Sequence, residues 1–253
     1  MPAALPLSGV VITKNEADRI ARCVSSMMAV CQEVIVLDSG STDDTIAIAV
    51  RLGAQVHQQP WQGFAKTKNA VIELASQPWV LLLDADEWLE PDAQQRLRAL
   101  FAGEIERADC WLLLRRTHFL GRAMRGGSFA REPVHRLFRQ RLRHALVPVH
   151  EYLDVSGQRV ERSDVRLEHD TARNPDEYWR KLQGYAQLWA KERTARGKQA
   201  LPGRGLLAAL AYALKNLVAR AGFIDGRAGL HFHWLHMRYA ALKYRLLRQA
   251  SRN

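Results

Sequence analysis

Trp79-Val-Leu-Leu-Leu-Asp84-Ala-Asp86-Glu87 runs from an indole through an unbroken apolar stretch into three carboxylates. A short apolar run bounded by turn signals reads as a strand buried on both faces. The acids then stand at its carboxyl end, which is where open α/β sheets bind ligands. Asp84 and Asp86 are two apart, so an unbroken strand would point both to the same face. Like charges placed in this way repel unless a cation lies between them. Hard divalent ions such as Mg²⁺ or Mn²⁺ take carboxylate oxygens and bridge to substrate phosphates. Asp-x-Asp alone fits both a metal–diphosphate site and a polar turn with solvated acids, so the surroundings must decide.

Towards the N-terminus, Val10-Val-Ile-Thr13 reads as a first strand. It runs into a helix start at Lys14-Asn15-Glu16-Ala17-Asp18, with Asn15 as the expected N-cap. Glu33-Val-Ile-Val-Leu37 is a second strand, ending in Asp38-Ser-Gly40-Ser-Thr42-Asp43-Asp-Thr45 before a helix over 46–52. Asp38 stands where such folds place an acid for a nucleotide's ribose or base. The polar density of this loop exceeds what a helix cap requires. A third strand is expected at Gln55-Val-His57 and a helix from Ala65 to Ala75. Lys68 falls in that helix's opening turns, where the macrodipole favours acids; a lysine there suits a phosphate or an acidic cluster. Pro91 opens another helix, through about Phe101. The alternation implies a mostly parallel sheet with helices on both faces. Neither Gly-x-Gly-x-x-Gly nor Gly-x-x-x-x-Gly-Lys-Ser/Thr follows the first strand, which removes the main support for dinucleotide dehydrogenase and P-loop readings.

At 253 residues and 47% hydrophobic content, the chain suits one large α/β domain or a domain with an appendage. Its three cysteines, Cys23, Cys31 and Cys110, have no metal spacing and an odd count, which argues for a reducing compartment. The first residues lack a signal peptide's basic and apolar regions, and the most apolar stretch, 206–223, is interrupted by Lys215 and Arg220. Net charge is +11 but uneven. Up to Cys110 there are 9 Lys and Arg against 15 Asp and Glu; the remainder holds 28 against 11. So basic a second half points to an anionic partner.

Thr13-Lys-Asn15-Glu16, Asp38-Ser-Gly-Ser-Thr-Asp43-Asp-Thr, Gly63-Phe-Ala-Lys66-Thr-Lys68-Asn69 and Leu-Asp84-Ala-Asp86-Glu87 together resemble family 2 glycosyltransferases. Within the family they are similar to the lipopolysaccharide-core β-glucosyltransferase (WaaE-like) branch. The resemblance continues through Phe119-Leu-Gly-Arg122, Arg136-Leu-Phe-Arg139 and Val149-His150-Glu151 to Gly222-Phe-Ile-Asp225-Gly226-Arg-Ala-Gly229.

The resemblance implies a GT-A fold, an α/β Rossmann-like architecture, followed by a basic amphipathic helical C-terminal region. Residues 1–110 would be the nucleotide-sugar half, 111–175 the acceptor half, and 176–253 a membrane-associating region. By the same similarity, Thr13, Asn15 and Glu16 line the nucleotide cleft, Asp38 contacts the uridine of a UDP-sugar, and Lys68 lies near the diphosphate. Asp86, with Asp84, holds Mg²⁺ or Mn²⁺. Inverting transfer needs a carboxylate to take the acceptor proton. Glu132 stands four residues before Arg136, where the family usually carries an acid, often the shorter Asp; Glu151 is the second candidate. The histidines His135, His144, His150, His169, His231, His233 and His236 match no strong zinc spacing and are expected to hydrogen-bond or to meet the acceptor.

Tyr178 to Arg196 reads as a helix, 197–205 as a break, 206–221 as a strongly apolar helix and 229 onwards as a basic one. Apolar faces interleaved with Lys and Arg suit a membrane interface with anionic lipid. The joint expectation is a cytoplasmic enzyme, peripheral on the inner face of the cytoplasmic membrane. It would move a hexose from a UDP-sugar to a lipid-linked glycan of the lipopolysaccharide core, or to another polyprenyl or polysaccharide acceptor. Nucleic acid is not an expected partner, because acids at the strand ends repel a polyanion. A nucleotidyltransferase would open with a Gly-rich basic loop, where this chain has Thr-Lys-Asn-Glu.

Overall fold

Strand β1 (Leu5–Thr13) lies at the centre of a parallel array. It pairs with β2 (Cys31–Asp38) on one side and β4 (Trp79–Asp84) on the other, and β3 (Gln55–Gln58) extends β2. This computed structural model describes residues 3–146 and 152–251. The register sets Thr13 beside Asp38 and Ile12 beside Asp84, bringing three polar strand ends to one edge. Helices α1 (Ile20–Met28), α2 (Thr45–Arg51), α3 (Phe64–Glu73) and α4 (Pro91–Gly103) join and follow these strands. Strands β1, β2 and β4 bury apolar side chains towards both faces, so two hydrophobic clusters form. Leu7, Val11, Trp79, Leu81 and Leu83 belong to one; Val10, Ile12, Ile35, Val80 and Leu82 belong to the other.

Beyond β4 the sheet becomes mixed. Its order is β3-β2-β1-β4-β8-β6-β9-β5, built with β5 (Glu87–Trp88), β6 (Cys110–Phe119), β8 (Glu132–Arg139) and β9 (Val160–Asp170); β7 (Arg122–Ala123) folds back on β6. β8 runs antiparallel to β4, with Val80 opposite Phe138 and Leu81 opposite Leu137. β5 runs antiparallel to β9, with Glu87 opposite His169. These late strands return the chain to the carboxyl end of β4, which repeated strand–helix alternation does not foretell.

The chain divides into two units. The first comprises Met1–Arg115 and Pro133–His169, and the second Arg116–Glu132 and Asp170–Asn253. The expected acceptor half, 111–175, contributes to both. The second unit is helical: α5 (Pro175–Ala195), α6 (Arg204–Ala213) continuing as a π-helical turn over Leu214–Ala219, and α7 (Gly226–Ala250). Asn174 caps α5 by accepting from the Glu177 N–H at 2.9 Å. Phe119, Phe129, Tyr178 and Phe232 form its core, with Tyr178 and Phe232 stacked at 5.5 Å. Asp225 accepts the backbone N–H groups of Arg125 and Gly126 at 2.8 and 3.0 Å, tying the 125–126 loop to the start of α7.

Candidate active site

The strand β4 stops at Asp84, Ala85 and Asp86 make a turn, and Glu87 enters β5. The two aspartates therefore do not continue one strand face; they take different partners. Asp84 receives the guanidinium of Arg136 from β8, and the Lys68 ammonium stands 3.4 Å from its other oxygen. Asp86 has Arg19 at 3.9 Å and His169 at 3.4 Å. Glu87, wholly buried, is the hub: it accepts from the Asp84 N–H at 3.0 Å, from Arg136 at 2.8 Å and from Arg115 at 3.1 Å. A buried carboxylate requires such partners, because an unpaired one would forfeit its hydration.

The electrostatics follow. Desolvation pushes the Asp84 carboxyl up, but Arg136, then Lys68, then Arg115 outweigh it and hold the group well below the usual carboxylate range. Burial works against the charged form of Arg136, yet Asp84 and Glu87 hold its proton still more firmly than usual. The corner is thus a fixed lattice of charges beside the open strand ends.

The polar loops after β1 and β2 are stitched to each other. Asp38, fully buried, accepts the Gly40 and Ser41 N–H groups at 2.9 and 2.8 Å and also the Ser41 hydroxyl. Gly40 takes φ of 92°, which a side chain rarely tolerates. Asn15 adopts φ of 56°, its side-chain Oδ1 accepting the Thr42 N–H at 2.8 Å and its backbone N–H donating to Ser41 Oγ at 2.8 Å. Asn15 is therefore a loop clasp and not the expected N-cap; α1 begins five residues later at Ile20. The Glu16 N–H donates to Thr45 Oγ1 at 2.8 Å. Thr13 Oγ1 and Ser39 Oγ are buried at the strand ends without a hydrogen-bond partner among the described residues. Such atoms ask for a polar ligand.

Lys68 is buried and reaches from α3 to Asp84, part of an acidic cluster such as its place in the helix suits. Its neighbour Asn69 clamps residue 144 from both sides, donating to the His144 carbonyl at 2.9 Å and accepting its N–H at 2.7 Å. Burial, then Lys68 and Arg136, push the His144 imidazole down to about 3, so it is neutral. Glu132 opens β8, half-buried, on the same strand face as Arg136 four residues on. Glu151 lies outside the described residues. In the second unit His233 pairs with the Tyr212 hydroxyl at 2.8 Å and His236 with that of Tyr178 at 2.6 Å. The roles missed in the sequence are those of Arg19, Arg115, Arg136 and His169. Arg136 carried only a weak signal, since Arg139 flanks the same apolar pair Leu137-Phe138 and stays partly exposed.

Among the described residues, no group of three or more His, Cys, Asp and Glu is arranged as a metal site. The donor chemistry of the corner nevertheless suits a hard divalent ion. Asp84 and Asp86 offer carboxylate oxygens, 35% and 15% of their side chains remain exposed, and burial keeps the neighbouring Cys23 a neutral thiol.

The family comparison falls on this same region. Residues 8–125 match the model described as Glycosyl transferase family 2. The match takes in Thr13, Asn15, Glu16, Asp38, Lys68, Asp84 and Asp86 and stops before Glu132 and Arg136. An uncharacterised glycosyltransferase of Rickettsia felis is 47% identical over 96 residues, covering 38% of this chain and 34% of that protein. The lipopolysaccharide core biosynthesis glycosyltransferase LpsC of Rhizobium meliloti is 35% identical over 122 residues, covering 46% and 44%. The chain thus spans less than half the length of both relatives. Among solved structures, S. aureus TarS 1–349 in complex with UDP-GlcNAc superposes with a TM-score of 0.52, covering 98% of this chain and 92% of that one at 16% identity. That likeness is one of fold, and the fold is GT-A.

Proposed function

We propose that the chain is an inverting, metal-dependent hexosyltransferase. It takes a hexose, glucose in first place, from a UDP-sugar. It passes the sugar to a lipid-linked acceptor of the lipopolysaccharide inner core, at the inner face of the cytoplasmic membrane. The observation that carries this reading is the charged corner of Lys68, Asp84, Asp86, Glu87 and Arg136 at the carboxyl ends of parallel strands, within and beside the stretch that matches family 2. The relative named for lipopolysaccharide core biosynthesis supports the acceptor.

In this reading the loop built by Asn15, Asp38 and Ser41 holds the nucleoside, with Thr13 and Glu16 lining the same cleft. Lys68 supplies positive charge beside the diphosphate. A divalent ion on Asp86 and Asp84 would act as a Lewis acid on the departing diphosphate. Glu132 takes the proton of the acceptor hydroxyl, Glu151 being the second candidate. The acceptor oxygen then bonds to the anomeric carbon from the face opposite the diphosphate. The bond from that carbon to the diphosphate oxygen breaks, and UDP leaves with the electron pair.

The test is a panel of UDP-sugars with Mn²⁺ or Mg²⁺ and a lipid A–core acceptor, read as free UDP and as glycosylated product. UDP-glucose is expected to turn over, and a chelator to stop it. No UDP from any donor in the presence of metal and acceptor would overturn the reading. Turnover only with a polyprenyl-linked acceptor would move the reaction off the lipopolysaccharide core.

A further inference from the structure

The second unit leaves a long apolar face uncovered. Leu206, Leu207, Leu210, Leu214 and Val218 along α6 and its π turn, with Phe223 and Ile224 beyond, are each between 53% and 65% exposed. Leu206, Leu210, Leu214 and Val218 recur every four residues and form one ridge. The opposite side of the segment is what packs. Ala209 is buried, and Gly205 lies so close to α7 that a methyl group would meet the Ala241 carbonyl at 2.9 Å. Asn216 is buried and accepts from the Ser128 N–H at 3.0 Å. The segment is therefore anchored through its back and has no need of its leucines for packing.

Positive charge flanks this face. A cavity of about 410 Å³ at the start of α6 joins Leu201 and Leu206 to Trp179, Arg238, Arg245 and Arg248. The unit as a whole holds 20 Lys and Arg against 6 Asp and Glu. No single described helix is long and apolar enough to cross a membrane; the α6 and α7 segments pass such a test only together, bent by 79° at their junction. Leucines in a row with guanidiniums at their edge match a surface that is anionic outside and hydrocarbon inside. A second copy of the chain would set like charges against each other, and a nucleic acid would leave the leucines wet.

We infer that the exposed ridge of α6 and its π turn is an interfacial anchor that enters an anionic phospholipid bilayer, with the Arg245–Arg248 cavity holding lipid phosphates at its edge. The inference deepens the membrane location proposed above; it is argued from the second unit alone, so its failure would leave the transfer reaction standing.

The experiment is co-sedimentation of the whole chain with vesicles of phosphatidylcholine alone or mixed with phosphatidylglycerol. Wild type is expected to pellet with the mixed vesicles, less so at high salt. Leu207→Glu, Leu210→Glu and Leu214→Glu combined should weaken binding by at least about tenfold. Arg245→Ala with Arg248→Ala should weaken it by about tenfold and remove most of the preference for phosphatidylglycerol. Far-ultraviolet circular dichroism melts matching wild type keep both variants interpretable. Wild type left in the supernatant, or Leu→Glu variants that bind as wild type does, would overturn the inference. So would a concentration-dependent dimer abolished by the same leucine changes, which would make the ridge a contact between copies.

Discussion

The two units treat charge in opposite ways. The first holds 17 Lys and Arg against 20 Asp and Glu and joins them internally: Arg136 and Arg115 meet at Glu87, Lys68 faces Asp84, and Arg19 faces Asp86. The second has few acids, and Asp225 is engaged with backbone N–H groups. Several of its cations lie over rings: Arg238 over Trp179 and Trp234 at 4.1 and 4.6 Å, and Lys243 over Tyr239 and Trp189 at 4.7 and 5.2 Å. Aromatic faces shield a cation without neutralising it. The first unit's electrostatics are closed and preorganised, as a reaction site requires. Those of the second are open, as a docking surface requires.

The sharpest way to break this contrast is to open the closed network. Arg136→Met leaves Glu87 buried with one guanidinium fewer and should cost about 3–5 kcal/mol in urea unfolding. Adding Glu87→Gln should restore part of that loss, since the uncompensated charge goes with it. If Arg136→Met is neutral, the corner is not an obligate charge lattice. Asp86→Ala comes next. It leaves Arg19 near Glu16 at 3.8 Å, so the fold should survive, while turnover should fall by about a thousandfold, or about 4 kcal/mol of transition-state stabilisation. Near-normal kcat in that variant would remove Asp86 from the chemistry.

Much of the parallel half was legible because β1, β2 and β4 were bounded apolar runs and Pro91 marked the start of α4. The strands β1 to β4 and the reach of Lys68 towards an acidic cluster follow from such local patterns. Asn15 shows where local pattern ended. Its side chain could cap a helix or clasp a neighbouring loop, and the polar run 38–45, distant in sequence, selected the clasp. β5 is two residues long and exists only because β9 pairs with it. Arg136, Arg115 and His169 reach the corner through antiparallel strands whose register no short window encodes. The π turn after α6 was likewise invisible, since 206–221 reads as one continuous helix.

A pH titration probes both units at once, because each contains a histidine pushed down to about 3. Burial, then Lys68 and Arg136, does this to His144; burial, then His233 and Lys243, does it to His236. In the unfolded chain each titrates near 6.5. Between that value and about 3 the unfolded state binds more protons, so stability is full above pH 6.5 and declines as pH falls. Each histidine should contribute a loss of about 2 kcal/mol between pH 7 and pH 5. Asp84 adds to the decline only below about pH 4, where unfolded carboxyls take up protons. Thermal melts of His144→Asn and His236→Asn should each show a shallower dependence than wild type. An unchanged slope in either variant would mean that its imidazole is not held neutral in the folded state.

The smallest expected effect is the most discriminating for the second unit. A leucine that packs in a core costs about 2–5 kcal/mol when it is truncated, and a charge in its place costs more. Leu210 and Leu214 are 53% and 65% exposed, so Glu at both positions should change unfolding free energy by no more than about 0.5 kcal/mol. The same change should raise solubility, because it replaces exposed apolar surface with charge. A loss of several kcal/mol would mean that the ridge is covered in solution, by the chain itself or by a copy. The contrast between a closed unit and an open one would then fail on its open side.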